Sequence, residues 1–356
     1  MKKLLLLISL TFHFFSASAA DTNSVKNKKL HIIPVPVFYY VPETRFAFGA
    51  GASFTFKLNH DSATNYSDIL GVAAYTQNNQ IVLYAPIELY SKNNLYYLDG
   101  ELGFYKYSYY YWGIGTDRVN KELFEIIYPR AILNGYRKLF SNIYAGIDYN
   151  FQSDEFIQYD PSGVLINGEV TGSKGYSASG AGIDLLYDSR DSIFFPTKGL
   201  FIRITSYDYS NILGSTLNFQ KITTDFSWYK TLSHSFILAV NQRNQFTFGN
   251  VPFDQLGLVG GSKQMRGYYY GYYRDKFLTL LQAEARVHIH GPWGLAVFGA
   301  SALIGHPGMF PDAPGLILAE GVGLRYNANR KQHINIRGDI GYGNTVEYYL
   351  SVEEAF

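Results

Sequence analysis

The chain has 356 residues, a formal net charge of +1 at pH 7 and no cysteine. The missing cysteines exclude disulfides, thiol nucleophiles and thiolate metal sites, and the balanced charge gives no general electrostatic reason to expect nucleic-acid binding. Aromatic residues make up 17% of the chain and charged residues another 17%, below the typical ~25% charged, so apolar surface is abundant and is interleaved with polar residues.

The N-terminus has the pattern of a secretory signal peptide. Lys2 and Lys3 precede the apolar run Leu4–Phe15, and the small residues at 17–20 offer cleavage sites. The apolar run is too short for a transmembrane helix, which needs roughly 20 residues. The mature chain is therefore predicted to be exported.

The rest of the chain alternates with the period of β-strands. In Arg45–Leu58 every second residue from Phe46 onward is apolar, whereas a helix would scatter those side chains around its axis. No later run reaches the length of a transmembrane helix. In hydrocarbon each unpaired backbone amide costs several kcal/mol, so a spanning chain without helices must close into a barrel. The predicted fold is all-β, a transmembrane antiparallel β-barrel in the outer membrane of a bacterial cell.

The strand rhythm predicts a barrel of 16 strands, at about 21 residues for each strand with its connection, which suits membrane strands of roughly 9–11 residues. If the chain starts in the periplasm, the longest connections all fall on the outer side: Ser108–Phe124, Ser153–Gly175, Gly249–Asp275 and Gly305–Pro314. The predicted domains are a signal peptide at residues 1–20, a short periplasmic tail at 21–31 and a single barrel at 32–356.

The longest of these connections is rich in glycine and tyrosine and runs into an alternating strand. It contains Arg266, Gly267 and Tyr268. In the strand that follows, Glu284 alternates with apolar residues, so it faces the opposite side of the sheet from them. Such a loop is unusual in a small soluble domain. It is expected in a barrel into which the loop folds back.

These residues resemble the BamA/TamA superfamily of outer-membrane barrels, the bacterial surface antigen family. Its loop motif is matched by Gly260, Gly261, Arg266, Gly267 and Tyr268. Its D-x-R-D…P-x-x-G periplasmic turn is matched by Asp188, Arg190, Asp191, Pro196 and Gly199. The terminal Phe356 resembles the family's C-terminal insertion signal.

The resemblance implies a 16-stranded barrel with the Arg266 loop folded into its lumen. A guanidinium there needs a partner, because an unpaired buried charge costs several kcal/mol. Glu284 has the parity to face inward, so a contact between Arg266 and Glu284 is predicted. The alternative is that Arg266 is a solvated extracellular arginine.

One position departs from the family pattern. Family members usually carry F-x-D-x-G on the next strand, and its aspartate also receives the loop arginine. The matching stretch here begins at Phe298 and has Ala300 at the acidic position. Asp339 and Glu320 are the candidates to replace the missing carboxylate.

The predicted function is to aid the insertion or translocation of protein or lipid at the outer membrane. Pro34 and Pro36 cannot donate ladder hydrogen bonds, so a weak seam is predicted where the first strand meets the last, Val346–Phe356. The family's assembly and secretion members carry periplasmic POTRA domains, for which this chain is expected to have no room. The expected partners are outer-membrane lipid, the barrel assembly machinery for the chain's own insertion and a separate periplasmic partner.

Two other classes of function remain open. The first is a passive pore or a structural surface antigen. The second is a lipid-modifying enzyme built on a Ser/His pair, with His234, His288, His290 and His306 as candidates, although none lies in a recognisable nucleophile motif. The sequence predicts no catalytic residue, no metal site and no cofactor.

Overall fold

A computed structural model describes residues 30–41, 45–58, 64–115, 118–192, 195–307, 316–329, 334–352 and 354–356. The predicted signal peptide and most of the predicted periplasmic tail lie outside the described residues. The first strand begins at Leu30, two residues before the predicted start of the barrel. No helix in the described part of the chain is long and apolar enough to cross a membrane.

Sixteen strands form one antiparallel sheet in chain order, so the predicted all-β fold and strand number are confirmed. The strands are β1 (Leu30–Val41), β2 (Arg45–Phe56), β3 (Ser67–Thr76), β4 (Ile81–Tyr90), β5 (Tyr96–Tyr111), β6 (Glu122–Lys138), β7 (Ile143–Gln158), β8 (Tyr176–Asp188), β9 (Gly199–Tyr209), β10 (Phe219–Ser233), β11 (Phe236–Gly249), β14 (Phe277–His290), β15 (Trp293–Gly305), β16 (Ile317–Asn329), β17 (Ile334–Tyr342) and β18 (Val346–Val352). The connection between β11 and β14 contains a separate hairpin of β12 (Gly257–Val259) and β13 (Tyr273–Asp275).

The two faces of the sheet differ in chemistry. In β14, Leu281 and Val287 are exposed, whereas Gln282, Glu284 and Arg286 on the opposite face are buried. Apolar side chains take the exposed position on other strands too: Phe48, Leu102, Ile147, Ile183, Val297 and Val322. This alternation is that of a membrane barrel, with an apolar face toward lipid and a polar face toward the lumen.

The outer ends of β5, β6 and β7 are longer than predicted. β5 continues to Tyr111, and β6 begins at Glu122, inside a stretch predicted to be a loop. The extension is stabilised by aromatic side chains that pack on the inner face, because Tyr111 and Phe124 are each only 2% exposed. The prediction of a loop at Ser108–Phe124 did not take this packing into account.

An apolar cluster fills the lumen under these outer ends. Its buried members are Tyr111, Phe124, Ile126, Tyr128, Leu165, Tyr176, Ala178, Tyr207, Tyr209, Phe219, Val251, Phe253 and Leu256. Val251, Phe253 and Leu256 belong to the β11–β14 connection, and the others come from β5–β10 and the β7–β8 connection. We call these three loop residues and their contacts the aromatic anchor, since they hold the first part of the loop against the β5–β10 wall.

The first strand has one edge that is poor in donors. β1 pairs with β2 without interruption from Leu30 to Val41. Alternate residues of a strand direct their backbone groups to opposite edges. Pro34 and Pro36 have no N–H, so an unbroken ladder requires both to face away from β2, toward the free edge of β1. No pairing between β1 and β18 is present among the described residues.

Candidate functional site

The β11–β14 connection forms a hairpin whose tip lies against the inner wall of β14–β18. β12 and β13 pair from Gly257–Asp275 to Val259–Tyr273, and Gly261 N–H donates to Tyr268 O at 2.9 Å. Gly267 has a φ of +114°, and a Cβ there would lie 2.6 Å from the Tyr342 carbonyl carbon. Only glycine therefore allows the tip to approach β17 so closely.

Arg266, at this tip, is bound between two strands. Its Nη2 donates to Glu284 Oε2 at 2.5 Å and its Nη1 donates to Asp339 Oδ2 at 2.5 Å. The guanidinium carbon also lies 3.5 Å from the ring centre of Phe298, a stacked cation–π arrangement. Arg266 is 2% exposed, so the arginine is held in the lumen and is not a solvated extracellular side chain.

The carboxylate that the family pattern places at position 300 is supplied from another strand. Ala300 lies opposite Gln282 and packs against an apolar cluster that includes Tyr268. Of the two candidate replacements, Asp339 contacts Arg266, whereas Glu320 is exposed. The second carboxylate partner of Arg266 is therefore Asp339 on β17.

Arg266 is part of a buried network of seven charged residues, which we call the ionic anchor: Arg266, Glu284, Arg286, Arg325, Arg337, Asp339 and Glu354. Each is at most 5% exposed. Four arginines against three carboxylates leave a formal charge of 4 − 3 = +1. Arg325 connects all three carboxylates, through Asp339 at 2.5 Å, Glu354 at 2.8 Å and Glu284 at 3.2 Å. Such multiple pairing offsets the high cost of desolvating these charges.

Arg286 connects the loop to two other motifs. Its Nε donates to Glu284 Oε1 at 2.7 Å, its Nη1 to Pro196 O at 3.3 Å and its Nη2 to Phe356 O at 3.0 Å. One guanidinium thus links the loop's carboxylate partner, the β8–β9 turn and the C-terminal residue. These three motifs lie far apart in the sequence, and nothing in their spacing predicted that they contact the same residue.

Main-chain contacts hold the tip as well. Gly267 N–H donates to Tyr349 Oη at 2.9 Å, and Tyr268 Oη donates to Leu318 O at 3.1 Å. Arg337 Nη2 donates to Ser262 O at 2.8 Å. The tip therefore contacts β16, β17 and β18, so its position depends on the last strands of the sheet.

The β8–β9 turn is ordered by its own carboxylates. Asp188 accepts from Nε of Arg190 at 3.0 Å and from Nη2 at 2.7 Å. Asp191 accepts from the Thr197 hydroxyl at 2.5 Å and from the Thr197 and Lys198 amides. Burial raises the pKa of Asp191, but these hydrogen bonds lower it more, and the net effect is a pKa below the usual value. Gly199 has a φ of +109°, which favours glycine.

Arg274 stabilises the other side of the loop. It is 3% exposed, and its guanidinium donates to the carbonyls of Gly271, Phe253 and Tyr110 at 2.8, 3.5 and 3.4 Å. Burial lowers the pKa of Arg274 to about 10. Gly115 of the β5–β6 connection donates its N–H to the Arg274 carbonyl at 2.8 Å, so this outer connection is fastened to the loop.

The candidate histidines lie outside these networks. His234 lies in the β10–β11 connection, and His288 and His290 lie at the end of β14; all three are exposed, on the side opposite the loop. His288 Nε2 is 3.0 Å from Gly291 O, and His306 Nδ1 is 3.7 Å from Asp275 Oδ2. No side-chain hydrogen bond joins any of these histidines to a serine within the part of the chain that the structure describes, and His288 contacts Ser235 through its backbone N–H, which donates to Ser235 O at 2.8 Å.

The sequence analysis singled out Arg266, Glu284 and Asp339 of the ionic anchor, but not Arg286, Arg325, Arg337 or Glu354. β17 does carry a signal, because Asn335, Arg337 and Asp339 alternate with apolar or small residues and so share the lumenal face. Glu354 lies beyond the last strand, where strand parity gives no information.

A family model described as the Omp85 superfamily domain matches residues 45–305, which is more than half of the chain. No curated protein sequence matches the chain.

Solved structures give a likeness of fold. BamA from Haemophilus ducreyi lacking POTRA domains 1–3 is 14% identical, with a TM-score of 0.62 over 90% of this chain and 69% of that one. CdiB from Escherichia coli is 10% identical, with a TM-score of 0.60 over 92% and 61%. CdiB from Acinetobacter baumannii is 11% identical, with a TM-score of 0.54 over 90% and 57%. The chain spans less than two thirds of either CdiB.

Proposed function

The chain belongs to the Omp85 superfamily, and from this premise we propose that it inserts or translocates protein or lipid at the outer membrane. It is an outer-membrane β-barrel. The superfamily comprises transport and assembly factors. The proposed activity depends on the loop, on the ionic anchor and on the seam between β1 and β18.

The observation that carries the proposal is the position of the loop tip. Arg266 is fixed to β14 and β17 by buried ion pairs, and Gly267 is hydrogen-bonded to β18. The loop therefore stabilises the strands next to one edge of the sheet. In a barrel that opens between its end strands, such a brace keeps β14–β18 in one piece while the edge moves.

The seam between β1 and β18 supplies the second element. Pro34 and Pro36 withhold two ladder donors from the free edge of β1, and each missing net hydrogen bond weakens closure by roughly 1 kcal/mol. A closure of this kind can open to an unfolded strand or a lipid at little cost. The partners of this step are outer-membrane lipid and a separate periplasmic component that delivers the cargo, and the barrel assembly machinery inserts the chain itself.

A disulfide across the seam tests the proposal. The chain has no cysteine, so Val37→Cys combined in turn with Glu347→Cys or Tyr349→Cys, which have the same lumenal parity, gives an unambiguous cross-link. The matched control is Ala73→Cys with Leu83→Cys, which are paired in the continuous β3–β4 ladder. Liposomes containing each variant receive a urea-unfolded outer-membrane barrel, and its folding is followed by heat-dependent gel mobility.

Wild type and the β3–β4 control are expected to accelerate folding of the added barrel severalfold. The oxidised seam variant is expected not to do so until it is reduced. Equal acceleration by the oxidised seam variant, or none by wild type, would contradict insertion through this seam. In the second case, steady ion conductance in a planar bilayer would favour the passive pore, and phospholipid turnover would favour the lipid-modifying enzyme.

A further inference from the structure

A second region of the lumen is separate from the ionic anchor. A cavity of about 260 Å³ lies between the loop and the inner wall formed by β5–β7, β10 and β11. Its charged lining residues are Arg130, Lys221, Arg243, Asp254 and Arg274. Four cations and one carboxylate therefore line the cavity, and Glu101 and Asp225 lie beside two of the cations.

The carboxylate of this cavity has other partners. Asp254 Oδ2 accepts from Tyr176 Oη at 2.7 Å and lies 3.5 Å from Gln152 Nε2. No ion pair within 4.0 Å joins Asp254 to a cation among the described residues. Among the described residues, Lys221 and Arg274 thus have no carboxylate within 4.0 Å, while Arg130 and Arg243 have Glu101 and Asp225 at 3.8 and 3.6 Å.

Three of the cations have unused hydrogen-bonding capacity. Arg130 makes no hydrogen bond to any described residue, and its Nε is 3.8 Å from Glu101 Oε1. Lys221 Nζ donates to a neutral group, Gln255 Oε1, at 2.8 Å. Arg243 Nη1 forms a long ion pair with Asp225 Oδ2 at 3.6 Å and donates to the side-chain oxygen of Gln264 at 3.3 Å.

These cations also act on one another. Lys221 lies within electrostatic reach of both Arg130 and Arg243, which repel it, while Asp254 attracts it. Clustering of like charges in a confined space is unfavourable unless an anion is present. An anion bound between them would relieve the repulsion and accept charge-assisted hydrogen bonds.

The remaining lining has the chemistry of a sugar site. The Asn150 amide lines the cavity and makes no hydrogen bond within the described part of the chain, whereas Nε2 of the neighbouring Gln245 already donates to Gln255 O at 2.9 Å. Tyr270 also lines it and is 49% exposed. Amides hydrogen-bond sugar hydroxyls, and an accessible tyrosine ring packs on the C–H face of a pyranose.

We propose that this cavity binds an anionic sugar, with the acidic group between Arg130, Lys221 and Arg243 and the ring against Asn150 and Tyr270. The site lies on the opposite wall from the ionic anchor and does not depend on seam opening. Its ligand is a single sugar bearing a phosphate or a carboxylate, from solution or from the end of a surface glycan.

Calorimetric titration of the detergent-solubilised barrel at 150 mM salt tests the proposal with three probes: glucose 1-phosphate, glucose and inorganic phosphate. Glucose 1-phosphate is expected to bind at least tenfold more tightly than either of the others. Lys221→Gln is expected to weaken its binding at least tenfold. The matched control is Lys230→Gln, at an exposed position on the same strand, with unchanged affinity. Heat-dependent gel mobility verifies that each variant is folded.

Asn150→Ala separates the two halves of the site. It is expected to weaken glucose 1-phosphate binding severalfold and to leave the affinity for inorganic phosphate unchanged. Glucuronate is expected to compete with glucose 1-phosphate, since the cations accept either acid group. Equal affinities for phosphate and glucose 1-phosphate, undiminished binding by folded Lys221→Gln, or no binding to wild type would each overturn the proposal.

Discussion

The loop between β11 and β14 is held to opposite walls of the lumen by two kinds of contact. At the aromatic anchor, Phe253 is fully buried, with its ring centre 5.2 Å from that of Tyr111 and 5.4 Å from that of Phe124. At the ionic anchor, Arg266 is just as buried but depends on two carboxylates at 2.5 Å. One contact is apolar and adaptable. The other is directional.

The difference determines how each anchor fails. Apolar contacts scale with buried area, so a side chain of similar volume can replace another at little cost. A buried ion pair fails once either partner is removed, because the remaining charge stays desolvated. The ionic anchor, which is nearest the seam, is therefore expected to lose its stabilisation of the loop abruptly when one partner is removed. The aromatic anchor, on the β5–β10 wall, is expected to lose it in proportion to the apolar area that is removed.

Removing Arg266 is expected to have the largest effect. Arg266→Ala leaves Glu284 and Asp339 with one cation fewer and should cost about 4 kcal/mol of loop docking. Arg266→Lys should recover little, because one ammonium cannot reproduce the planar fork or the stacking on Phe298. Chymotrypsin cleavage at the loop tyrosines measures docking, with Arg137→Ala, at an exposed site, as control. Full protection in Arg266→Ala would remove the distinction between the two anchors.

Phe253 provides the opposite pattern. Phe253→Ala should cost about 3 kcal/mol through the cavity it leaves, whereas Phe253→Leu should cost less than about 1.5 kcal/mol. The same protease assay is expected to show protection of the leucine variant close to that of wild type. If leucine proved as harmful as alanine, the aromatic anchor would also depend on specific geometry.

Asp339 takes the place of the carboxylate expected at position 300. Changing both positions tests this exchange, with a smaller expected effect on loop docking. Asp339→Asn keeps the shape but removes the charge that pairs with Arg266, Arg325 and Arg337, and should cost about 2 kcal/mol of loop docking. Adding Ala300→Asp should restore about 1 kcal/mol, because Arg266 Nε has no hydrogen-bond partner in the described structure and can use a new acceptor. Ala300→Asn is the uncharged control. The coupling is read from a double-mutant cycle in the protease assay. Strictly additive effects would mean that position 300 no longer communicates with the loop.

The strands and their faces could be predicted because a period of two is a local property. Every residue of β2 or β14 has its face fixed by its immediate neighbours along the chain. The same local reasoning reaches from Arg266 to Glu284, 18 residues away on the strand that follows the loop.

The rest of the site depends on how the sheet curves. Asp339 is 73 residues from Arg266, and Pro196 is 90 residues from Arg286. Parity says only that such side chains face the lumen. Which of them meet is set by the curvature of the sheet and the depth of the loop, and neither is encoded in one strand's pattern. The apolar contacts of Phe253 were missed because a buried loop aromatic reads like an exposed one.

Asp191 is a largely solvated carboxylate, and its contribution to stability can be compared with that of the buried carboxylates of the ionic anchor. Its hydrogen bonds from Thr197 and Lys198 lower its pKa below the unfolded value of about 3.9. A lowered folded pKa stabilises the native state above the unfolded pKa, and that stabilisation disappears as the pH falls through the folded pKa. Solvent screening keeps the contribution below about 1 kcal/mol. Guanidinium unfolding should therefore separate wild type from Asp191→Asn slightly at pH 7 and not at all near pH 2. A gap that persisted at low pH would assign the effect to hydrogen-bond geometry, and a gap as large as that of Arg266→Ala would show that burial is not what makes the ionic anchor strong.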